Sequence, residues 1–411
     1  MKERAILHSD LNCFFASVET VLNPEYAGKA IAVCGSTEDR HGIVLAKSEP
    51  ARRAGVKTGM VNWQAKQLCP DLLIVKPDYE YYTKFSGLVR NIYCRYTDLV
   101  ESYGLDECWL DVTGSKIYGS PVDIAESIRR TIKEELGLTV SIGVSYNKVF
   151  AKLGSDMKKP DAITVISREN FREKIWGHNV SELIYVGRST CRKLNEHGIF
   201  TIGELALSSP DMLRRLLGVN GEQLWHYARG EDTSRVMHKD FVFPAKSIGH
   251  GITCNADLVN EDEVWRVMLE LSQDLGHRLR LHHLAASGVQ ITVKSSDLKV
   301  SQYQCPIPIQ TQSPYEIASH ARRLFASYDW NKDVRAVSVR AIGLVPEGRP
   351  FQTDLFNDLS RFDKQKNIDD AVDRIRNRFG KKAVISASLM GNIKVPAHSD
   401  RESIMPGMMY K

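Results

Sequence analysis

The chain has 411 residues, a net charge of +5 and 43% hydrophobic residues, which is ordinary for a globular protein of two to four domains. No apolar run approaches the ~18 residues that cross a bilayer, and the N-terminal MKERAILHSD is too poor in apolar residues for a signal-peptide core, so we expect a cytoplasmic protein. The eight cysteines include no Cys-x-x-Cys pair, which argues against a zinc or disulfide framework.

Strands alternate with helices over the first part of the chain, to about residue 165, a pattern typical of helices packed on a sheet. The predicted strands are Ala5–His8, Ile31–Cys34, Gly42–Ala46, Leu72–Val75, two strands within Leu99–Thr113 that meet near Gly104, and Leu138–Ser145. The predicted helices are one that begins near Phe14, then Pro50–Ala54, Tyr79–Tyr96, Ile124–Leu136 and Asn147–Met157.

The character of the sequence then changes twice. Residues 169–235 predict short helices with glycine corners, and Met237–Pro244 has no period and is typical of a linker. Residues 245–346 return to strands and helices, and an amphipathic helix that ends at Gly380 precedes a polar tail. The elements predicted in this half are helices Glu261–Leu281 and Pro314–Tyr328 and strands Ala286–Val293 and Ala336–Leu344.

The basic surplus lies at the C-terminal end of the chain. Residues 275–411 hold 21 basic and 13 acidic side chains. This distribution suits a nucleic-acid contact, and it suits a solvated surface equally well.

Two adjacent carboxylates in the segment YGLDECWLDV (Tyr103–Val112) indicate a candidate site. Neighbours in a regular strand point to opposite faces, so Asp106 and Glu107 can serve one site only at a turn, and Gly104 supplies the backbone freedom for that turn. Asp10 ends the first predicted strand. If that strand neighbours the hairpin, three carboxylates converge, which is enough to hold two magnesium ions for phosphoryl transfer. On the dipeptide alone, two exposed acids at a turn remain the alternative.

Four segments resemble the motifs of the Y-family, or translesion, DNA polymerases, in the order found in that family. They are SDLNCFFASVE (Ser9–Glu19), VLAKSEPARRAGVKTGM (Val44–Met60), YGLDECWLDVT (Tyr103–Thr113) and SIGVSYNKVFAKLGSDMKKPDAI (Ser141–Ile163). The resemblance runs from residue 5 to about residue 390 and is strongest to the bacterial DinB branch, DNA polymerase IV.

The resemblance implies an α/β multidomain fold with the right-hand shape of a polymerase. The implied domains are a palm at 1–19 and 77–168, fingers at 20–76, a helical thumb at 169–235, a linker at 236–244, a little finger at 245–346 and a tail at 347–411. The implied activity is template-directed DNA synthesis by two-metal nucleotidyl transfer from a deoxynucleoside triphosphate, with pyrophosphate release, low fidelity and no proofreading, in DNA damage tolerance. A non-catalytic, clamp-tethered DNA-binding scaffold is the alternative, and a nucleotidyl cyclase is a third possibility that would leave the DNA-binding elements unexplained.

The resemblance also assigns roles residue by residue. Asp10, Asp106 and Glu107 are implied as catalytic ligands of two Mg²⁺ ions, and the Leu11 backbone carbonyl completes one coordination shell. Phe15 falls at the position of the sugar steric gate, and the resemblance leaves Phe14 to the core.

Two basic residues match those that bind the incoming triphosphate in the family. They are Arg52, whose planar fork suits phosphate oxygens, and Lys159, a point charge. A solvated surface base is the commoner role of such residues, and Lys148 is a weaker candidate near the same site.

The chain departs from the family pattern at two positions. Glu49 stands where the family often has a tyrosine, and a carboxylate cannot help to bind a triphosphate. Gly104 stands where the family often has a serine, which removes a hydroxyl but no metal ligand.

Contacts with DNA and with a sliding clamp are also implied. GRSTCRKLNEHGI (Gly187–Ile199) and LGVNGEQL (Leu217–Leu224) resemble helix-hairpin-helix elements, which direct backbone N–H groups at phosphates of primer–template DNA. The first lacks the usual Pro-Gly start and has Ile184 and Tyr185 there. FQTDLF resembles a clamp-binding pentapeptide, in which Gln352, Leu355 and Phe356 would be the anchors. The expected enzyme is a monomer without a membrane partner.

Overall fold

The computed structural model describes residues 4–40, 42–350 and 359–396, without the side chains of 359–363. These residues form two compact units. One unit holds the described residues of 1–34 and 44–242, and the other holds the described residues of 35–43 and 243–396. Within these ranges, no helix is long and apolar enough to cross a membrane.

The described ranges contain twelve strands and fourteen α-helices, numbered here in chain order. The strands are β1 Ile6–Leu11, β2 Ile31–Cys34, β3 Val44–Lys47, β4 Leu73–Val75, β5 Val100–Tyr103, β6 Glu107–Asp111, β7 Val140–Ser145, β8 Ile163–Ile166, β9 Ser247–Leu258, β10 Leu284–Ser295, β11 Val300–Thr311 and β12 Val334–Pro346. The helices are α1 Phe14–Leu22, α2 Glu49–Arg53, α3 Asn62–Leu68, α4 Tyr79–Tyr93, α5 Pro121–Leu136, α6 Lys148–Met157, α7 Phe171–Ile175, α8 Arg188–Asn195, α9 Ile202–Leu207, α10 Pro210–Leu217, α11 Val219–Ala228, α12 Glu261–Leu281, α13 Pro314–Phe325 and α14 Leu359–Phe379.

A five-stranded sheet in the order β5-β6-β1-β7-β8 is the centre of the first unit. The strands are antiparallel except for the parallel pair β7 and β8. One face carries Leu7, Leu110 and Ile142, which are buried against α1, α4 and α5 in the largest apolar cluster of this unit. Because side chains alternate along a strand, His8 and Asp10 lie on the opposite face, where α6 packs.

Helix α6 lies unusually close to the sheet because a glycine faces it. Gly143 on β7 pairs with His8 on β1. A Cβ atom added at Gly143 would lie 1.9 Å from the carbonyl oxygen of Ala151, so only glycine fits beneath the helix. Asn147 caps the helix by accepting from the Phe150 N–H at 2.7 Å. These contacts fix both the height and the start of α6.

A smaller sheet in the order β3-β2-β4 lies in the same unit. Its buried residues include Ala32, Val44 and Ala51, so α2 packs on the sheet through Ala51 and leaves its charged residues outward. Helices α7 to α11 form a helical cluster whose core includes Leu194, Leu205 and Leu213 and continues into Phe150 of α6 and Ile166 of β8.

The second unit is a four-stranded antiparallel sheet in the order β11-β10-β12-β9. Helices α12 and α13 cover one face through an apolar cluster that includes Leu271, Leu275 and Ile317. Helix α14 joins α12 by an ion pair between Asp373 and Arg280 at 2.7 Å. Residues 359–396, which the sequence places in the tail, therefore pack on this unit.

Most predicted elements are confirmed, with shifts at their ends. The strand predicted at Ala5–His8 continues through Asp10 to Leu11, and the helix predicted to end at Tyr96 ends at Tyr93. Helix α12 has the predicted bounds, and Gly380 follows α14 with a φ of 91°. The sequence did not predict α3 or the strands β8, β9 and β11.

Candidate active site

Strand register brings two of the predicted carboxylates together. In the antiparallel pair of β1 and β6, Asp10 lies directly opposite Glu107, so both side chains leave the same face of the sheet. Gly104 begins the turn between β5 and β6 with a φ of 83°, a conformation that favours glycine over serine. The departure at Gly104 therefore suits the turn that presents the acids.

Asp106 is held at the same edge of the sheet by its backbone. Its carbonyl accepts from the Leu11 N–H at 3.0 Å, which joins the hairpin turn to the last residue of β1. Burial, together with the negative charges of Asp10 and Glu107, raises the pKa of the Asp106 carboxyl to about 6. Asp10, Asp106 and Glu107 thus meet at one edge, and Leu11 adjoins them.

Two lysine ammonium groups stand among these carboxylates. Lys159 Nζ lies 2.8 Å from Asp10 Oδ2. Lys152 Nζ, on α6, lies 3.4 Å from the same oxygen and 3.0 Å from Glu107 Oε2. Asp156 pairs with both lysines, at 3.0 Å and 2.9 Å. The cleft is therefore a network of alternating charges.

Burial and charge act in opposite directions on these groups. Burial raises the pKa of Asp10, and the two lysines offset part of that effect. Burial alone would also raise the pKa of Glu107, but a contact with His8 and the charge of Lys152 outweigh it and lower that pKa to about 2. Desolvation would lower the pKa of both lysines, yet the surrounding carboxylates hold it above the usual value.

A fully buried histidine lies behind Glu107. The Nδ1 atom of His8 is 2.8 Å from the Ser155 hydroxyl, and its Nε2 atom is 3.3 Å from Glu107 Oε2. Burial lowers the pKa of His8 to about 4, so its ring is neutral at physiological pH. His8 therefore meets Glu107 as a neutral group and not as a cation.

The donor set fits a hard divalent cation. Glu107 Oε2 is buried and is balanced by an ammonium, Lys152 Nζ at 3.0 Å, and carboxylate oxygens are the ligands that magnesium prefers. In the arrangement observed, however, no three carboxylate, imidazole or thiol groups of the described residues form a ready metal site. The lysine ammonium groups lie between the acids, where a cation would otherwise balance their charge.

Lys159 is positioned by the turn that follows α6. The Asp161 N–H donates to Asn12 Oδ1 at 2.9 Å, and the Asp161 carboxylate accepts from Arg129 at 2.7 Å and from Lys133 at 2.9 Å. Because Asn12 follows β1, these bonds fix the turn to the same strand that carries Asp10. The sequence indicated Lys159 but none of the residues that hold it.

Arg52 lies apart from the carboxylates and is paired on its own helix. It donates two bonds of 2.8 Å to Glu49, so the residue that departs from the family pattern holds the predicted triphosphate ligand. Burial raises the pKa of the Cys13 thiol, and that thiol also senses the charges of Glu49, Lys47, Arg52 and Lys159. Lys148 instead pairs with Glu101 at 2.8 Å, away from the carboxylates.

The two phenylalanines of the first motif have different surroundings. Phe14 is only 3% exposed and belongs to the core, whereas Phe15 is partly exposed and stacks on Tyr82 with ring centroids 4.2 Å apart. The Tyr82 hydroxyl donates to Glu19 at 2.5 Å, which fixes the ring under Phe15. The sequence did not single out Tyr82.

The helix-hairpin-helix segments adopt helices with tight corners. Gly187 precedes α8, and an open groove of about 770 Å³ follows that helix past Arg188 and Arg192. Tyr185 has a φ of 71°, the left-handed conformation that a glycine would adopt easily. A tyrosine thus adopts this conformation where the usual Pro-Gly start has a glycine. The predicted clamp residues Gln352, Leu355 and Phe356 lie outside the described residues.

Comparisons with known proteins show the family of the chain. Residues 9–156 match the model of the impB/mucB/samB family, and residues 245–355 match the model of that family's C-terminal domain. A DNA polymerase IV of Acetivibrio thermocellus is 50% identical over 380 residues, which covers 92% of this chain and 95% of the relative. A DNA polymerase IV of Alkaliphilus oremlandii is 36% identical, with 93% and 98% covered.

A solved structure has the same fold. A Y-family DNA polymerase chimera aligns with a TM-score of 0.75 and 24% identity, over 84% of this chain and all of the chimera. The predicted α/β multidomain polymerase fold is thereby confirmed.

Proposed function

The chain belongs to the impB/mucB/samB family and, like its DNA polymerase IV relatives, is a DNA-directed DNA polymerase; we propose that it acts by two-metal nucleotidyl transfer of the translesion type. The observation that carries the mechanism is the meeting of Asp10, Asp106 and Glu107 at one edge of the central sheet. In this proposal the five-stranded sheet belongs to the palm, the three-stranded sheet to the fingers and helices α7 to α11 to the thumb. The four-stranded sheet with α12 and α13, within residues 245–346, is the little finger.

The carboxylates and the cations of the cleft have separate roles in this proposal. Asp10, Asp106, Glu107 and the Leu11 carbonyl would hold two magnesium ions, and the chemistry supplied by bound metal would be activation of a primer 3′-hydroxyl and stabilisation of the pyrophosphate that leaves. Lys159 and Arg52 bind the phosphate oxygens of the incoming triphosphate. Both cations already have acidic partners in this structure, so each must exchange a carboxylate for phosphate when nucleotide binds.

Primer extension tests the proposal. The full chain should add deoxynucleotides to a primed DNA template with magnesium, and Asp106→Ala should lose that activity. Asp98→Ala is the matched control, because Asp98 is an exposed acid of the same unit that pairs with Lys239 outside the cleft. Failure of the unmodified protein would instead favour the non-catalytic scaffold.

Sugar selection is proposed to depend on Phe15. The ring of Phe15 stacks on Tyr82, which is itself fixed by its hydrogen bond to Glu19. The stacked ring cannot readily move away from a ribose 2′-hydroxyl. Phe15→Ala should raise ribonucleotide incorporation relative to deoxynucleotide incorporation, whereas Phe14→Leu, a change in the core, should leave the ratio unmoved. Unchanged sugar selectivity in Phe15→Ala would show that the gate is assigned wrongly.

Low fidelity without proofreading is proposed from family membership. Steady-state misinsertion on a defined template, and extension past an abasic site, measure it directly. Misinsertion as rare as that of a replicative polymerase would contradict the translesion assignment.

Primer–template DNA is proposed to contact the groove along α8, which Arg188 and Arg192 line. Removing a basic side chain that contacts a phosphate reduces the slope of log affinity against log salt concentration by about one. Arg192→Ala should therefore weaken DNA binding uniformly across sequences and flatten its salt dependence. If Arg192→Ala left the affinity for DNA and its salt dependence unaltered, α8 would not be part of the DNA interface.

Clamp binding through Gln352, Leu355 and Phe356 is proposed from the pentapeptide alone. Deleting 352–356 should leave distributive synthesis intact and abolish stimulation by a sliding clamp. A clamp response equal to that of the full chain would refute the motif.

A further inference from the structure

One lysine of the cleft has no assigned role in nucleotide transfer. Lys152 lies in the middle of α6, its side chain is 14% exposed, and its ammonium contacts Asp10, Glu107 and Asp156. We propose that Lys152 is the internal counter-cation of the metal-free site and competes with divalent metal for the oxygens of Asp10 and Glu107. This inference rests on the proposed function, because it assumes that these carboxylates are the metal ligands.

The need for such a cation follows from burial. Carboxylates gathered in a partly desolvated cleft repel each other, and an uncompensated buried charge is strongly destabilising. Lys152 bridges Asp10 Oδ2 on β1 and Glu107 Oε2 on β6, so a single ammonium balances acids from two strands. Because Gly143 lets α6 lie directly on β7, the side chain reaches these oxygens without leaving the cleft.

Metal and ammonium cannot use the same oxygens together. Magnesium binds carboxylate oxygens at about 2.1 Å, which would bring it within repulsive distance of an ammonium that stays on those atoms. Asp156 Oδ2 already lies 3.0 Å from Lys152, one helical turn away. Lys152 can therefore keep a partner after it yields Asp10 and Glu107, and the exchange leaves no buried charge unpaired.

The expected consequence is weak metal binding before nucleotide arrives. In the protein without nucleotide, the first metal must displace Lys152 from Asp10 and Glu107, which weakens metal binding. A bound triphosphate adds negative charge, which favours replacement of the ammonium by the metal. Removing the ammonium should therefore tighten metal binding in the absence of nucleotide.

Manganese binding to the full chain, without nucleotide or DNA, tests this inference. Free Mn²⁺ can be followed by electron paramagnetic resonance at about pH 8, where ordinary carboxylates are ionised. Lys152→Met should bind Mn²⁺ about tenfold more tightly than the unmodified chain, the scale of one close charge interaction. Lys152→Arg keeps the charge and should stay within about twofold of the unmodified chain.

Lys148→Met is the matched control. Lys148 lies one turn earlier on α6, is 12% exposed and forms a buried ion pair with Glu101, but it does not contact the three carboxylates. It should leave Mn²⁺ affinity near the starting value. An equal gain in Lys148→Met, or no gain in Lys152→Met, would overturn the inference.

The two levels of failure are distinguishable. Mn²⁺ binding that is lost in Asp106→Ala but unaffected by Lys152→Met would overturn the inference and leave the proposed metal site standing. If neither the unmodified chain nor Lys152→Met binds Mn²⁺, the proposed metal site fails, and the inference fails with it.

A stability measurement covers the case in which Lys152→Met folds poorly. Lys152→Gln also removes the charge but keeps hydrogen-bond donors. Either variant should have a lower melting temperature than the unmodified chain in EDTA, and Mg²⁺ should narrow the difference. A deficit that Mg²⁺ leaves unchanged would show that Lys152 packs the helix and does not stand in for the metal.

Discussion

Two ion-pair networks of the first unit involve residues of the proposed active site, and they differ in burial. Beneath α6, Asp10 and Lys152 have side chains that are 8% and 14% exposed. On α2, Glu49 and Arg52 are 28% and 50% exposed. A buried pair is costly to break singly, whereas an exposed pair contributes little and re-forms easily. A lysine of the buried network can therefore leave its carboxylates only when another charge takes its place, whereas the exposed network can release its arginine to a new anion.

The largest expected effect is a difference in nucleotide insertion between a variant of the buried network and a variant of the exposed network. Lys159→Ala removes the cation proposed to bind phosphate and also leaves Asp10 without its 2.8 Å ion pair, so kcat/KM for the incoming nucleotide should fall about 100-fold. Arg52→Ala removes a cation that is already neutralised by Glu49 and should cost about tenfold. Single-nucleotide insertion kinetics measure both.

Equal losses in these two variants would show that burial does not set the difference. Lys159→Arg keeps the charge and is the control for charge as opposed to shape.

A second prediction concerns stability without metal. The pKa of Asp106 is raised to about 6, so the folded state binds this proton more tightly than the unfolded state does. The free energy of unfolding should therefore fall as pH rises from about 4 to about 6, with the full penalty present above that range. Asp106→Asn should remove a penalty on the order of 3 kcal/mol at neutral pH and nothing near pH 3.

Urea unfolding in EDTA at several pH values checks this prediction. Glu49→Gln on the exposed network is the control, and it should shift stability by less than about 0.5 kcal/mol. A gain in Asp106→Asn that does not vary with pH would contradict ionisation as its cause.

The smallest effect is expected at Glu49 itself. Glu49→Gln frees Arg52 from its two 2.8 Å bonds, so KM for the nucleotide should fall by about twofold to threefold while kcat changes little. Insertion kinetics again provide the measurement. A higher KM would mean that Glu49 positions Arg52 for phosphate and does not compete with it.

The sequence predicted most elements because their apolar periods are strong, and helix α12 is the clearest case. The missed strands β9 and β11 lie at the two edges of their sheet. β11 contains Pro306 and Pro308, which discourage a strand prediction and are tolerated at an edge. Such a position cannot be recognised before the order of the strands is known.

The site was predictable to a similar degree. Resemblance indicated Asp10, Asp106, Glu107 and Lys159, and the structure brings these four together. The resemblance did not indicate His8 or Lys152. For Lys152, the sequence gives no sign of burial, because a lysine on a polar helix face usually meets solvent. Only the register of β1 with β6, and the closeness of α6 to β7, turn those side chains toward Glu107.

Because α6 packs closely on Gly143, the position of this helix determines both the proposed metal site and the proposed triphosphate contact. The same helix carries Lys152 to the carboxylates and leads directly into the turn that carries Lys159. Any side chain at position 143 would lift the helix from the sheet and displace both ammonium groups at once. A substitution at Gly143, which is not itself a proposed ligand, would thus change proposed metal binding and proposed triphosphate binding together. A substitution at this position could therefore not alter one of the two without the other.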